Sequence, residues 1–414
     1  MRHNKSSTGA LLLAVLSLVW VGGATRAQMI FTDSFESGLL MPLYYITVWQ
    51  DEQADGNQTQ IKANGSASLF PDTTLNDLLP GVQNTPAVAV AADGSFVATW
   101  EDDTDGNGLF QVHARGFHAD GSEHFARITV NVESAGQQRH PDIAMAPNGE
   151  FVVVWEDDPD GNGLYNIKGR GFHADGTERF SERTVALTGP GAELEPSIAM
   201  AEDSSFVVTW SDDQDYNGFY QVKARGFFAN GSQRFAAITV NTAGAGQQVQ
   251  PDITMAPNGD FVIAWADDQD SNWFFQVLAR GFFANGSERF ADITLNEVGT
   301  ASQYRPVVGM AGDGSFAAVW VDQDYRIVAR RFDAAGSPQS GDIVLNGNGL
   351  QLQNRPAVDI TTAGEFVVLW DQLDPDGRFV LKGRRLSADG LSGPEFTATA
   401  AASGDQVHAA VAVR

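Results

Sequence analysis

The chain has 414 residues, with 26 lysines and arginines against 52 aspartates and glutamates, and it contains no cysteine. A formal net charge of −26 argues against nucleic acid or anionic lipid as a partner, because such a surface repels both. Without cysteines no disulfide contributes to stability, so burial alone must hold the fold together. An acidic surface also keeps secreted proteins soluble, and this interpretation needs no ligand.

The N-terminus is predicted to be a signal peptide covering residues 1–27. It has a basic start, an apolar run over residues 11–21 and a small-residue cleavage site ending at Ala27. The apolar run is short for a membrane span, and no later segment resembles one, although an uncleaved anchor is the alternative. The mature protein is therefore predicted to lack a membrane span and to be secreted or periplasmic. Residues 28–41 are interpreted as a linker and residues 42–414 as one domain.

A unit built around one tryptophan recurs along that domain. A typical copy is the segment Phe-Val-Val-Val-Trp at residues 151–155. The repeated tryptophans are Trp49, Trp100, Trp155, Trp210, Trp265, Trp320 and Trp370, with gaps of 51, 55, 55, 55, 55 and 50 residues. A fixed period of this length indicates stacked supersecondary units and not unrelated domains.

Each repeat is predicted to contain four short strands. In one copy these are residues 141–145, 151–155, 164–172 and 180–187, separated by turns rich in Asp, Asn and Gly. The second strand is apolar on both faces, as expected when a sheet is packed between two neighbours. Four antiparallel strands per repeat are typical of a β-propeller blade, and an open solenoid of the same units is the alternative.

The C-terminus predicts how the ring closes. Residues 404–413 align with residues 136–145, which contain a first strand, whereas the copy around Trp49 lacks a first strand of its own. We therefore expect the last strand to complete the first blade and to remove the open edge. The predicted fold is an all-β, seven-bladed β-propeller of four-stranded antiparallel blades, with six or eight blades as alternatives.

Four acidic turns follow the second strands of consecutive repeats. Their shared pattern is Asp-x-Asp-x-Asn, which places hard oxygen ligands at alternate positions and suits Ca²⁺. The predicted metal-ligating residues are Asp103, Asp105, Asn107, Asp158, Asp160, Asn162, Asp213, Asp215, Asn217, Asp268, Asp270 and Asn272. The same residue types also build ordinary tight turns, so calcium binding and plain turn chemistry both remain open.

No catalytic residue stands out in the sequence. Arginines recur on the predicted third strands, at Arg115, Arg170, Arg225, Arg280, Arg330 and Arg384. A ring of arginines would suit an anionic sugar, but repetition in every blade favours pairing with nearby acids or stacking on aromatic rings. No carboxylate pair is set apart for glycoside cleavage, and the histidines have no metal-site spacing.

The unit Gly-x-Phe-Val-Val-x-Trp, followed by an acidic turn and Ala-Arg-x-Phe-x-Ala-x-Gly, resembles repeats of large secreted or surface proteins of bacteria. These repeats often accompany hemolysin-type calcium-binding or cadherin-like segments. The chain lacks the Gly-Gly-x-Gly-x-Asp nonapeptides of hemolysin-type proteins, so that calcium mechanism does not carry over. We predict a secreted propeller that binds an extracellular ligand, a glycan or a protein, with Ca²⁺ at the acidic turns as a candidate support. The alternative is a propeller glycoside hydrolase or polysaccharide lyase acting on an extracellular glycan. One asymmetric polar cluster at the central channel would favour the enzyme, and a symmetric ring would favour binding.

Overall fold

The computed structural model describes residues 43–52, 59–66, 69–77, 81–132, 135–186, 191–242, 246–268, 271–297, 301–346, 352–390, 392–399 and 404–413. The predicted signal peptide, the predicted linker and the turn residue Asp270 lie outside these ranges. Within the described ranges, no helix has the length and apolar character needed to cross a membrane.

The described residues form seven antiparallel sheets of four strands each, which we number as blades 1 to 7 in the order of their tryptophans. From the innermost strand outward, blade 1 contains β28 (Gln406–Val413), β1 (Tyr45–Glu52), β2 (Thr59–Gly65) and β3 (Thr73–Thr74). Blade 2 contains β4 (Val82–Val90), β5 (Phe96–Asp103), β6 (Gln111–Phe117) and β7 (Glu123–Thr129). Blade 3 contains β8 (Gln137–Met145), β9 (Phe151–Asp158), β10 (Asn166–Phe172) and β11 (Glu178–Thr184).

The remaining blades repeat this order. Blade 4 contains β12 (Glu193–Met200), β13 (Phe206–Asp212), β14 (Gln221–Phe227) and β15 (Gln233–Thr239). Blade 5 contains β16 (Gln248–Met255), β17 (Phe261–Asp267), β18 (Gln276–Phe282) and β19 (Glu288–Thr294). Blade 6 contains β20 (Gln303–Met310), β21 (Phe316–Asp322), β22 (Ile327–Phe332) and β23 (Ile343–Val344). Blade 7 contains β24 (Gln353–Ile360), β25 (Phe366–Leu373), β26 (Phe379–Leu386) and β27 (Phe396–Thr397).

The ring closes through the C-terminal strand, as predicted. Strand β28 pairs with β1, so that Val413 lies opposite Tyr45 and Gln406 lies opposite Asp51. The innermost strands contact one another in the cyclic order β28, β4, β8, β12, β16, β20, β24 and back to β28. A seven-bladed propeller is therefore confirmed, and the open solenoid and the other blade numbers are wrong.

Apolar cores between neighbouring blades explain why the second strands are apolar on both faces. All seven repeated tryptophans are fully buried. In the seam between blades 2 and 3, Trp155 belongs to one core cluster with Val97, Val112 and Ala114 of the preceding blade. Each sheet thus contributes one face to the core before it and the other face to the core after it.

Phenylalanines stack across the same seams. The ring of Phe125 in blade 2 lies 5.9 Å from that of Phe151 in blade 3, which in turn lies 5.0 Å from that of Phe172. This stack requires a glycine on β6, because a Cβ at Gly116 would lie 2.1 Å from the Phe125 ring. Blades 3, 4 and 5 repeat the arrangement at Gly171, Gly226 and Gly281.

The repeated third-strand arginines join blades together. Arg170 donates to Glu178 of its own blade at 2.9 Å and to the carbonyl of Val130 in the preceding blade, also at 2.9 Å. Its guanidinium also lies 5.3 Å from the Phe172 ring centre. Arg115, Arg225 and Arg330 make the same kind of carbonyl contact. These contacts give the arginines a structural role.

Candidate functional site at the channel mouth

Each innermost strand carries a bulge at the same place, within the segment Gln-x-x-Pro or its variant. The register against the second strand shifts there, for example between Arg139 and Asp142 of β8. The residue before the proline, or before Ala409 in β28, has a left-handed backbone with φ between 46° and 56° in all seven copies. These residues are Thr85, His140, Glu195, Gln250, Arg305, Arg355 and His408, and we call them the mouth ring. Left-handed backbone is uncommon for residues other than glycine, so its presence at all seven equivalent positions is a regular part of this fold and not a local irregularity.

The mouth ring lies at the end of the channel that also carries the hairpins between second and third strands. The register shows this, since Glu193 at the start of β12 lies opposite Asp212 at the end of β13. The ring residues and the prolines after them line a cavity of ≈ 610 Å³. The bulge therefore presents one side chain per blade to a shared, open space.

Acidic and amide side chains hold the left-handed residues in place. The backbone N–H of His140 donates to Glu101 at 2.9 Å, and that of Glu195 donates to Glu156 at 2.8 Å. Glu195 in turn accepts the backbone N–H of Gln250 at 2.7 Å. Each acceptor belongs to the blade before its donor. These bonds offset the conformational cost of the bulge, which is roughly 1–2 kcal/mol for each such residue.

The chemistry of the mouth ring differs from blade to blade. Five residue types occupy the seven equivalent positions. Arg305, Arg355 and His408 occupy three consecutive blades and form a basic arc. His140 and Glu195 occupy blades 3 and 4 on the other side of the channel. The polar cluster at the channel mouth is therefore asymmetric, which keeps the enzyme alternative as a candidate beside ligand binding.

The two arginines of the arc are partnered differently. Arg355 donates to the buried carboxylate of Asp371 at 3.3 Å. The Arg305 side chain is half-buried and makes no hydrogen bond or ion pair with any described residue. Burial and the adjacent positive charge of Arg355 lower its pKa from the ordinary value. Asp371 and Glu195 act on the Arg305 cation only at longer range, so among the described residues Arg305 has no directly bonded acid at the mouth.

The two histidines of the mouth ring have opposite protonation preferences. Burial opposes charge on His140, but a 3.1 Å contact with Glu156 outweighs it and raises the pKa of His140 above its ordinary value. Burial, followed by the charges of Arg355 and Arg305, lowers the pKa of His408 to about 3. At neutral pH His408 is neutral, while His140 is biased toward the charged form. Two titratable groups whose environments move their pKa values in opposite directions, as at His140 and His408, can serve as a proton donor and a proton acceptor at the same pH.

Three carboxyl groups on the innermost strands join adjacent blades. Asp142 accepts the backbone N–H of Ile198 at 2.9 Å, and Asp252 accepts that of Val308 at 2.7 Å. Asp359 does the same for Val413 of the closing strand, at 2.7 Å. Burial raises the pKa of Asp142 to about 6, of Asp252 to about 7 and of Asp359 to about 6. These three carboxyl groups therefore gain protons in mildly acidic solution, well above the pH at which an exposed aspartate does.

The acidic turns form well-defined loops in which backbone amides bind the carboxylates. Asp158 accepts the N–H groups of Asn162 at 3.1 Å and Gly163 at 2.9 Å. Asp103, Asp213 and Asp268 accept amides in the same way, while Asp105, Asp160 and Asp215 accept from the asparagine two positions later. The oxygens of Asn107, Asn162, Asn217 and Asn272 each accept the amide two positions on. Among the described residues, no group of three or more His, Cys, Asp or Glu side chains is arranged to hold a metal. Calcium binding therefore stays a prediction.

No protein-family model and no curated protein matches this chain. The fold is similar to that of the polysaccharide lyase Uly1, with a TM-score of 0.54 and 11% identity over 86% of this chain and 94% of that one. A prolyl endopeptidase structure gives a TM-score of 0.51 and 13% identity over 86% of this chain, but the match spans only 49% of the endopeptidase. The α-L-arabinanase of Penicillium chrysogenum gives a TM-score of 0.49 and 14% identity over 74% and 94% of the two chains. At these identities the likeness shows the propeller fold alone.

The sequence reasoning missed the mouth ring but contained a signal for it. The segment from Gln138 to Pro141 has counterparts in every blade, and two variable residues separate the nearly constant Gln and Pro. Variation between constant neighbours marks a position that the fold itself does not constrain. The left-handed backbone and the bulge that point this position into the channel are not visible in the sequence.

Proposed function

We propose that the protein binds an anionic extracellular polysaccharide at the mouth ring. The observation that carries the proposal is Arg305, a half-buried cation without an acidic partner among the described residues of a chain with 52 acids. A carboxylate or sulfate group of the ligand would supply that partner, and Arg355 and His408 lie in the next two blades. A charge-assisted hydrogen bond is worth about 1.5–3 kcal/mol.

The net charge of −26 does not prevent such binding. Exposed charges farther than about 8 Å from the ligand are largely screened at physiological ionic strength, whereas a half-buried pair is screened much less. We therefore expect affinity to change little, or to rise slightly, when salt is increased from low to physiological concentration. This separates the site from a basic patch, whose affinity for polyanions falls with salt.

The test compares two arginine substitutions in titrations with uronate-containing and sulfated polysaccharides. Arg305→Gln introduces the side chain that already stands at Gln250, so the bulge should tolerate it. Arg384→Gln makes the same change on the third strand of blade 7, away from the mouth. We expect Arg305→Gln to weaken binding by about 10- to 100-fold and Arg384→Gln to leave it unchanged. Equal affinities for both variants would contradict the proposal.

A second candidate function is cleavage of the bound polysaccharide by β-elimination at a uronate, and the two histidines favour it. The arginines would bind the carboxylate and stabilise negative charge that develops on it. Neutral His408 would take the proton from the carbon next to the carboxylate. The freed electron pair forms the new double bond as the bond to the leaving oxygen breaks, and His140 would protonate that oxygen. A carboxylate between Arg305 and Arg355 would offset their charges, so the pKa of His408 would rise on binding.

The cleavage candidate has its own readout, because each elimination creates an unsaturated uronate that absorbs ultraviolet light. We expect His408→Ala to lower this rate by roughly 10²–10⁴-fold, and we expect His118→Ala, outside the mouth ring, to leave it unchanged. Binding without any unsaturated product would remove the lyase candidate and leave the binding proposal standing.

A further inference from the structure

Exposed aromatic side chains gather on blades 4, 5 and 6, at the end of the propeller that carries the mouth ring. Their exposed fractions reach 72% for Trp273, 65% for Tyr216 and 51% for Phe274 and Tyr325. Phe219 and Tyr304 add 42% and 39%. We call these six residues the aromatic rim. All but Tyr304 belong to hairpins between second and third strands, and Tyr304 lies on β20.

The hairpins of blades 2 and 3 have glycine at the places that Tyr216 and Trp273 occupy, and leucine at the place of Phe219 and Phe274. Gly106 and Gly161 have φ of 67° and 68°, and Tyr216 occupies the equivalent place with φ of 56°. Gly163 has φ of 80°, and Trp273 occupies its equivalent place with φ of 67°. Left-handed backbone suits glycine and disfavours bulky residues. A Cβ at any of these three glycines would meet nothing within 4 Å, so the position projects into open space. Packing thus gives no reason for an aromatic residue there.

The aromatic rim is continuous with the mouth ring through blade 6. The Phe275 carbonyl accepts the backbone N–H of Gln303 at 2.8 Å, and the Phe275 ring lies 6.4 Å from that of Tyr304. Arg305, the cation without a partner, is the next residue along the chain. The backbone carbonyl of Trp273 also accepts the Ser302 hydroxyl at 3.4 Å. A path therefore leads from the mouth across Tyr304 to the hairpin that carries Trp273 and Phe274.

We propose that the aromatic rim is a stacking platform for successive sugar rings of the polysaccharide whose anionic group enters the mouth ring, which makes this inference rest on the proposed function. Flat, amphipathic rings give contact area at low entropic cost. The rim residues alternate with polar groups such as Asp215, Asn217 and Asn272, which suits hydroxyl-rich sugar better than an apolar protein surface. An anionic membrane is disfavoured by the surrounding acids.

The platform predicts that affinity depends on ligand length. Short oligosaccharides that fill only the mouth should bind the same with and without the rim. Longer oligosaccharides should gain about tenfold or more in affinity from Trp273 and its neighbours. Oligogalacturonides and alginate oligosaccharides, from disaccharide to octasaccharide, are suitable probes.

The sharpest variants restore the glycine of the other blades. Trp273→Gly and Tyr216→Gly remove the rings and relieve the left-handed backbone, so we expect the melting temperature to stay equal or to rise by a few degrees. We expect the same variants to weaken octasaccharide binding by about tenfold each and to leave disaccharide binding unchanged. Unchanged octasaccharide affinity in both variants would overturn the proposal, and a fall in melting temperature beside it would assign these rings a structural role.

Trp273 also reports directly on the ligand. The seven repeated tryptophans are fully buried, so among the described tryptophans Trp273 is the exposed one. A bound polysaccharide should protect it from oxidation by N-bromosuccinimide and shift its fluorescence. If Arg305→Gln abolishes binding while Trp273 stays unprotected by every bound oligosaccharide, the proposed function survives and the platform fails. The platform proposal would also fail if an added protein, and none of the polysaccharides tested, protected Trp273 from oxidation.

Discussion

The seams between blades and the open end of the channel follow opposite rules. In the seams, Trp155, Phe151 and Gly171 have the same residue types at equivalent places of most blades, because each fills the same space against the next sheet. At the open end, equivalent places hold His140, Glu195 and other types. Packing constrains the residue types of the first set and leaves those of the second free to vary. The repeat therefore encodes the fold, and the candidate site lies where the repeats differ at the open end of the channel.

The seams and the open end of the channel also differ in backbone strain. Left-handed non-glycine residues gather in the mouth ring and in the hairpins beside it, with His140 and Trp273 as examples. The second strands that build the seams have none among the described residues. Strain retained at an open surface is typical of functional positions.

Removal of residues 407–414 should break the seams most severely. It deletes nearly all of β28, whose Val407, Val411 and Ala412 are buried, and it opens blade 1 to its neighbours. Each buried valine contributes roughly 1.5–3 kcal/mol, which together with lost closure is comparable to the total stability of a domain. We expect aggregation or a much lower melting temperature by calorimetry. A synthetic peptide of residues 404–414 should partly restore the transition, and a truncated protein that melts like the full chain would refute closure.

Loss of a single buried tryptophan from a seam should destabilise the protein less than loss of the whole closing strand. Trp155→Ala leaves a cavity between blades 2 and 3 and should lower the free energy of unfolding by about 3–5 kcal/mol. Trp155→Phe is the control, because the indole N–H has no hydrogen-bond partner in the described structure and only volume is lost. Denaturant titration of both variants measures the difference. A loss below about 1 kcal/mol for Trp155→Ala would place this side chain outside the core.

Glu193 is the place where the seam between blades 3 and 4 departs from the repeat. The other six blades have glutamine here, and asparagines such as Asn131 bind several of them, at 3.4 Å in the case of Gln138. In blade 3 the corresponding asparagine is replaced by Ala186. Glu193 is fully buried, and neither carboxyl oxygen has a partner in the described structure. Burial, with the nearby charge of Asp212, raises the pKa of Glu193 to about 8.

Glu193→Gln should therefore stabilise the protein in a pH-dependent way. Between the ordinary pKa of 4.5 and the folded pKa of about 8, the folded state keeps a proton that the unfolded state has lost, so stability falls as pH rises. Glutamine removes this loss, and the gain should be near zero below pH 4.5 and roughly 3 kcal/mol near neutral pH. Melting curves across this range test it. The reverse variant Gln138→Glu should destabilise mainly at high pH, and an equal gain for Glu193→Gln at all pH values would contradict the assignment.

The seams between blades could be predicted from the sequence because the residues that build them recur in every repeat. Trp155 recurs with a fixed period and the second strand is apolar on both faces, which together imply sheets packed on two sides. Closure followed from the alignment of residues 404–413 with a first strand. In each case several copies of one physical constraint supported the same conclusion.

The mouth ring could not be predicted to the same depth. Arg305 has no partner because of where a bulge points it, and the neutral state of His408 depends on burial and on two arginines from other blades. The aromatic rim was within reach of the sequence, since Trp273 replaces glycine in an otherwise regular turn. The candidate mouth ring and the aromatic rim lie where the repeats differ, whereas the predicted metal ligands lie where the acidic turns are alike.

The acidic turns share one property with each of the two regions, because they recur from blade to blade like the seam residues but are exposed like the mouth ring. If Asp103, Asp158 and Asp213 hold Ca²⁺, the metal must compete with the backbone amides that these carboxylates already accept. Without a bidentate glutamate the dissociation constant should be in the weak range of roughly 10⁻⁴–10⁻³ M. Calcium at about ten times that constant would add ~1.4 kcal/mol for each occupied site, which is the smallest single-site effect on stability among these predictions. We expect the melting temperature to rise with calcium and not with magnesium, and we expect simultaneous substitution of the three aspartates by asparagine to abolish the rise. Asparagine keeps only one of the two oxygens that accept amides at Asp158, so the metal-free variant should melt somewhat below the parent, and its response to calcium is measured against its own metal-free curve. A melting curve that millimolar calcium leaves unmoved would make these turns part of the fold alone.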